Sequence, residues 1–130
     1  MDKETKQEEK PKIGDIQYVL LDMGISPSLL GFTYLTYAEQ LISVNEEYMK
    51  QVTKNLYVDV AKAFRTTPAS VERCIRHAIA AAWALGNIET SRRYFGNSIK
   101  PYRGVPTNSQ FITRTYFYLK NEMKELQELK

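Results

Sequence analysis

The chain alternates between stretches with helical hydrophobic spacing and short polar breaks, beginning near residue 13. The first stretch predicts a short amphipathic helix that ends at Gly24, since glycine is favoured where a helix stops. After a Ser-Pro-Ser turn, a second helix is predicted over about residues 32–44. The inward positions are Ile13, Ile16, Leu20 and Met23 in the first helix, and Tyr34, Leu35, Ala38, Leu41 and Ile42 in the second.

A third helix is predicted to begin at Asn45, whose side chain can accept a hydrogen bond from the first helical turn. Glu46 and Glu47 follow it, and acidic side chains are favourable at the positive end of a helix dipole. The inward residues of this helix are Tyr48, Met49, Val52 and Leu56.

Residues 57–85 have the pattern of a helix-turn-helix. A short helix is predicted over Tyr57–Phe64, followed by the tight connection Arg65-Thr66-Thr67. Thr67 and Pro68 form the usual pair of an N-cap and a proline at the first helical position. The second helix is expected to run to Leu85 and to stop at Gly86-Asn87. Two helices joined so closely are typical of proteins that insert the second helix into the DNA major groove.

Turned at 100° per residue, the second helix separates into two faces. Arginine can read guanine in the major groove, glutamate can accept a hydrogen bond from cytosine, and small neighbours allow close approach. A helix whose arginines simply face water has the same pattern. The inward face comprises Val71, Cys74, Ile75, Ala78, Ala82 and Leu85; the outward face comprises Ala69, Arg73, Arg76, His77 and Ala80, with Ser70 and Glu72 on its flanks.

Composition and charge favour one folded domain with an anionic partner. The 130 residues are 43% apolar and 25% charged, which is ordinary for a globular chain. Residues 13–64 carry a net charge of −3, whereas residues 65–103 carry +5, mostly as arginine. Arginine is suited to phosphate and guanine, so this third of the chain is typical of a surface that binds a polyanion.

The ends of the chain suggest three segments: a disordered charged leader over 1–12, the helix-turn-helix domain over 13–120, and a helical extension over 121–130. A short helix is predicted over Glu89–Tyr94, then a basic loop, then a final helix capped by Thr107-Asn108-Ser109. Heptad spacing in this helix could support pairing with a second copy, although docking on its own core is favoured. The spaced residues are Ile112, Tyr116, Leu119, Met123 and Leu126.

Catalytic and metal-binding patterns are missing from the sequence. It has no glycine-rich phosphate loop and no GxSxG or HExxH motif. Cys74 and His77 lie three residues apart, but the helical phase turns Cys74 inward and His77 outward. No apolar run approaches the roughly 18 residues of a membrane span. We therefore expect a cytoplasmic, nucleoid-associated protein with no enzymatic activity, no cofactor, no metal and no membrane partner.

Several separated blocks of the chain carry a family likeness. The most specific is VERCIRHAI at 71–79, with Trp83 and GNI at 86–88 downstream. The others are GFTYL at 31–35, LYVDVAK at 56–62, FG at 95–96 and PTNSQFI at 106–112. From Ile13 to Leu119 the chain resembles the DNA-binding effector domain of the sporulation master response regulator, stage-zero sporulation protein A.

This resemblance implies an all-α, compact bundle of about six helices containing a helix-turn-helix, with the second helix entering the major groove at TGTCGAA-type boxes. It places the glutamate and two arginines of the VER-x-IR run on the DNA-facing side, so Glu72, Arg73 and Arg76 are the expected base-reading residues. It also suggests a homodimer on tandem boxes and contact with RNA polymerase. We expect the DNA backbone to be contacted by Thr67, Ser70, His77, Arg92, Arg93, Lys100 and Arg103.

The chain also departs from that family. A phosphoacceptor receiver domain usually precedes the effector domain, and the 12 residues of the leader are too few to form one. Ser70 stands where the family often has a basic residue, so the preferred DNA box is expected to differ.

Three functions fit the sequence. The first is a sequence-specific transcriptional regulator that binds double-stranded DNA without a receiver domain. The second is an accessory or architectural DNA-binding protein, for instance in plasmid replication or transfer. The third is a protein-interaction module that has kept the fold and lost DNA binding, which the retention of Glu72, Arg73 and Arg76 disfavours.

Overall fold

A computed structural model describes residues 10–85, Arg93 and residues 104–129, with side chains as far as Asn121. These residues form five α-helices and no β-strand, which confirms the all-α fold class. The predicted helix over Glu89–Tyr94, the stop at Gly86-Asn87 and most of the predicted leader lie outside the described residues. The helices are α1 (Ile13–Asp22), α2 (Leu30–Val44), α3 (Tyr57–Phe64), α4 (Pro68–Ala84) and α5 (Asn108–Leu129).

Helix α1 ends just before Gly24, as the sequence predicts. Gly24 has a φ of +91°, a region that glycine enters without a steric penalty. Its N–H donates to the carbonyl of Leu21, and the next N–H, of Ile25, donates to that of Leu20. This pair of bonds is the Schellman motif, which turns the chain toward α2. Ile16, Leu20 and Met23 are buried as predicted, whereas Ile13, in the first turn, is 49% exposed.

The prediction of a third α-helix after Asn45 is wrong, because the segment is helical but not α-helical. Asn45 does act as an N-cap, since its Oδ1 accepts from the N–H of Glu47 at 3.0 Å. The segment it begins is a 3₁₀ helix over Glu46–Lys50, and a π-helical turn over Val52–Leu56 then leads directly into α3. Val52 and Leu56 still reach the core, but Tyr48 and Met49 are only half-buried.

Polar bonds to α3 and α5 hold this non-α segment in place. The hydroxyl of Tyr48 donates to the Asp59 carboxylate in α3, and this hydrogen bond raises the pKa of Tyr48. The Glu46 carboxylate accepts from the Tyr116 hydroxyl at 2.7 Å and from Lys120 Nζ at 2.9 Å, both in α5. These contacts come from residues far along the chain, which explains why local pattern did not predict the segment.

The core is built around the packing of α2 against α4. Gly31, the second residue of α2, faces the backbone of α4 at Cys74 and the side chain of Ala78. Because glycine has no Cβ, the two helices approach more closely here than any side chain would allow. The largest fully buried side chains include Ile16, Leu20, Leu35, Ile42, Leu56, Ile75, Ile79, Phe111, Ile112 and Leu119.

Helix α5 packs against the other helices of the bundle. It continues to Leu129, beyond Leu119, the last of its residues described as buried. Its first turn is a capping box, in which Thr107 Oγ1 accepts from the N–H of Gln110 at 3.1 Å and Gln110 Oε1 accepts from the N–H of Thr107 at 2.9 Å. The helix then runs without a break to Leu129. The side chains of the predicted heptad residues Met123 and Leu126 lie outside the description. Within the described ranges, every helix is too short or too polar to span a lipid bilayer.

Candidate nucleic-acid interface

The predicted helix-turn-helix is present as α3, residues 65–67 and α4. Helix α3 ends with Arg65 in the left-handed region (φ 57°, ψ 47°), and the N–H of Thr66 donates to the carbonyl of Ala61 at 3.0 Å. Thr67 then caps α4, because its Oγ1 accepts from the N–H of Ser70 at 3.1 Å, and Pro68 occupies the first helical position. The chain therefore turns within three residues and begins α4 with a capped first turn.

We expect Thr67→Ala to lower the free energy of unfolding by about 1 kcal/mol, the usual effect of losing an N-cap. The N–H of Ser70 would lose its acceptor at a helix end that is exposed to solvent. Urea denaturation measures the change. Thr67→Ser keeps the oxygen that accepts the bond and should stay close to the wild type; an equal loss in both variants would contradict the capping role.

The two faces of α4 largely agree with the helical phase. Ala69, Arg73, Arg76, His77 and Ala80 are exposed, and Val71, Ile75, Ala78 and Ala82 are buried. One inward prediction fails, because Leu85 follows the last turn of α4 and is 91% exposed, whereas Cys74 is half-buried and packs against the core. Ile79 is fully buried although the sequence analysis did not place it on the inward face. The outward face over the first turns is thus polar and carries two arginines between small alanines.

Glu72 and Arg76 form a bidentate ion pair along this face. Arg76 Nε donates to Glu72 Oε2 at 2.9 Å, and Arg76 Nη2 donates to Glu72 Oε1 at 3.4 Å. The hydrogen bond that Arg76 donates to the Glu72 carboxylate raises the pKa of Arg76. The Arg76 and Glu72 side chains are 53% and 39% exposed, so both can still reach a partner outside the protein. Arg73, one turn before His77, is exposed beside them.

Asn108, which the sequence analysis did not assign to the site, fixes the first turns of α4 from α5. Its Nδ2 donates to the backbone carbonyl of Glu72 at 3.1 Å and to the Tyr57 hydroxyl at 3.0 Å. One amide group therefore links α5, α4 and α3 at the end of α4 that carries the outward arginines. The sequence signal for Asn108 is its position within the PTNSQFI block, which predicts a helix cap and no contact with α4.

The structure describes some of the residues that are predicted to contact the DNA backbone and not others. Thr67 and His77 are exposed, and Ser70 is half-buried beside the cap. Arg93 Nη1 donates to the Asp22 carboxylate of α1 at 3.1 Å, so a DNA phosphate would compete with Asp22 for this guanidinium. Arg92, Lys100 and Arg103 lie outside the described residues. In the part of the chain that the structure describes, no three His, Cys, Asp or Glu side chains come together as a metal site.

Comparison with protein families agrees with this geometry. The family model described as sporulation initiation factor Spo0A C terminal matches residues 16–119. The match begins in α1, includes the whole helix-turn-helix and ends inside α5. The family is one of DNA-binding effector domains.

Proposed function

Because this chain belongs to the family of sporulation initiation factor Spo0A C-terminal domains and so carries a DNA-binding effector domain, we propose that it is a sequence-specific transcriptional regulator. Helix α4 enters the major groove of double-stranded DNA in this proposal. The observation that carries it is the exposed first half of α4, where Arg73 and Arg76 stand between small residues directly after a capped turn. A helix with this shape and donor pattern suits the major groove.

The described residues of the site divide into two roles. Glu72, Arg73 and Arg76 determine base preference, because Arg73 and Arg76 are exposed on the turns nearest the cap and the half-buried Glu72 is paired with Arg76. Thr67, Ser70 and His77 flank this set and contact the sugar-phosphate backbone, which fixes the register of the helix without reading sequence. We assign the basic residues Arg92, Arg93, Lys100 and Arg103 to backbone contacts as well, from their concentration in the sequence.

The proposal is tested by titrating the protein into two labelled duplexes at several salt concentrations, one with paired TGTCGAA-type boxes and one scrambled. A preference of about 10³ or more for the boxes, with log affinity falling linearly with log salt, supports sequence-specific recognition. Two protein copies per paired box would support a dimer on tandem boxes. Steep salt dependence without preference, repeated in a selection from random sequences, would instead indicate an architectural DNA-binding protein. No binding at low salt would refute a DNA-binding function.

Replacing Arg76 by alanine should reduce affinity for the boxed duplex by about 1–3 kcal/mol and relax preference at the base pair that it reads. Affinity for the scrambled duplex should change much less. Arg103→Ala should weaken both duplexes alike, since a phosphate contact carries no sequence information. Arg114→Ala, which removes an exposed arginine from α5, is the matched control for lost charge. Equal losses on both duplexes for Arg76→Ala would contradict its base-reading role.

A further inference from the structure

We propose that Glu72 is a positioning residue, which contributes to base preference by holding the Arg76 guanidinium and not by contacting a base itself. The inference rests on the proposed function, since it concerns how the same helix reads DNA. Its basis is the bidentate pair, in which both carboxylate oxygens of Glu72 accept from Arg76 along one side of α4.

The pair leaves a particular edge of the guanidinium available. Nε and one N–H of Nη2 point toward Glu72, and no other bond to the Arg76 side chain is found among the described residues. Among the described residues, the second N–H of Nη2 and the N–H of Nη1 beside it therefore have no acceptor, and these two N–H groups form the end-on fork of the guanidinium. This fork matches the O6 and N7 acceptors of guanine in the major groove. Because Glu72 already holds the Nε edge, the Arg76 side chain loses less conformational entropy when it binds DNA.

The position of Glu72 is itself fixed from two sides. Its carbonyl accepts from Asn108, which also donates to the Tyr57 hydroxyl, so its turn of α4 is tied to both α5 and α3. Glu72 therefore offers its carboxylate to Arg76 from an anchored turn. A mobile attachment point would not order the guanidinium.

The negative charge of Glu72 has a second effect. A carboxylate paired with Arg76 offsets the attraction of that arginine to phosphates, which are present in every DNA sequence. Removing Glu72 would free Arg76 to bind phosphate in any sequence. Binding to scrambled DNA should then become stronger and more dependent on salt, while binding to the boxed duplex becomes weaker.

The experiment is a double-mutant cycle on duplex binding with Glu72→Ala, Arg76→Ala and the double variant. We expect Glu72→Ala to weaken boxed binding roughly three- to ten-fold, the effect of leaving one long side chain unordered. The salt slope on scrambled DNA should increase by about 1, for one additional phosphate contact. In the Arg76→Ala background, removing Glu72 should change neither quantity. Melting temperatures should stay close to that of the wild type, because an exposed ion pair contributes little to stability.

Glu47→Ala is the matched control, since Glu47 is an exposed carboxylate paired with Lys50 and lies outside the α3–α4 unit. It should leave both duplex affinities near those of the wild type. A panel of boxes with single base-pair changes completes the test, and Glu72→Ala and Arg76→Ala should relax the same base pair. Additive losses in the cycle, or relaxation at two different base pairs, would overturn the inference and show that Glu72 reads a base directly. If the wild type itself does not distinguish boxed from scrambled DNA, the proposed function fails and this inference fails with it.

Discussion

Gly31→Ala is expected to lower the free energy of unfolding by about 3 kcal/mol, the upper part of the range for overpacking a core. A Cβ at this position would meet the carbonyl oxygen of Cys74 and would lie 2.6 Å from the Cβ of Ala78. Both neighbours belong to α4, and one is backbone, so neither can rotate out of the way. The helices would have to separate, which would open gaps among the buried side chains around them.

Gly14 provides a matched control for this substitution. It is the second residue of α1, as Gly31 is the second residue of α2, and a Cβ there would meet no atom within 4 Å. Gly14→Ala should leave stability unchanged or raise it by about 0.5–1 kcal/mol, because alanine loses less backbone entropy on folding. Urea denaturation of both variants measures the contrast. A Gly31→Ala protein as stable as Gly14→Ala would show that α2 and α4 do not meet as closely as described.

The close contact at Gly31 also bears on recognition. Cys74 and Ala78 lie on α4 between and beyond the two outward arginines, so the α4 backbone rests on α2 opposite the proposed DNA-facing side. A shift of α4 would move Arg73 and Arg76 relative to the rest of the domain. In Gly31→Ala protein that remains folded, the affinity for the boxed duplex should fall more than the affinity for the scrambled duplex.

Local signals predicted the part of the fold that local interactions form. Thr67 and Pro68 mark the start of α4 because a cap bond and a fixed proline φ act within one turn. The exposed position of Arg73 and Arg76 follows from a period of 3.6 residues alone. The prediction failed at Glu46 and Tyr48, whose partners lie in α3 and α5, because periodicity contains no information on such distant partners.

The candidate site shows the same limit. The outward arginines could be found from phase, but the link from Asn108 to Glu72 joins residues 36 positions apart and depends on how α5 packs. The pairing of Glu72 with Arg76, at a spacing of four, was within reach of sequence reasoning because such residues are neighbours on a helix. The close approach at Gly31 was not, since a glycine in a helical pattern does not reveal what packs against it.

The burial of Glu39 follows from the helical phase of α2, although a glutamate is rarely found inside a protein. Glu39 stands four residues after Leu35 and three before Ile42, both fully buried, so its phase on α2 places it inside the bundle. Its side chain is fully buried, and neither carboxylate oxygen has a hydrogen-bond partner among the described residues. Burial raises the pKa of Glu39 well above its ordinary value, because a charge in this position would be separated from water without compensation.

A raised pKa in the folded state makes stability fall as pH rises. Below the ordinary glutamate pKa both folded and unfolded chains hold the proton, so Glu39 causes no loss of stability there. Above that pH the unfolded chain releases the proton while the folded chain retains it, and folding becomes less favourable by up to about 1.4 kcal/mol per pH unit. The decline stops only when the pH exceeds the raised pKa of Glu39 in the folded protein.

Replacing Glu39 by glutamine should therefore remove a slope that falls as the pH rises above the ordinary glutamate pKa of about 4.3. Glu39→Met, which fills a similar volume without polar atoms, should in addition be more stable than the wild type at neutral pH, by about 1–3 kcal/mol. The measurement is urea denaturation at each pH, with Glu47→Gln as a control for loss of an exposed carboxylate. Since every other titrating group is common to the wild type and Glu39→Gln, the difference between their two profiles isolates Glu39. Parallel profiles would mean that the Glu39 carboxyl is ionised and solvated in the folded protein, contrary to its burial in α2.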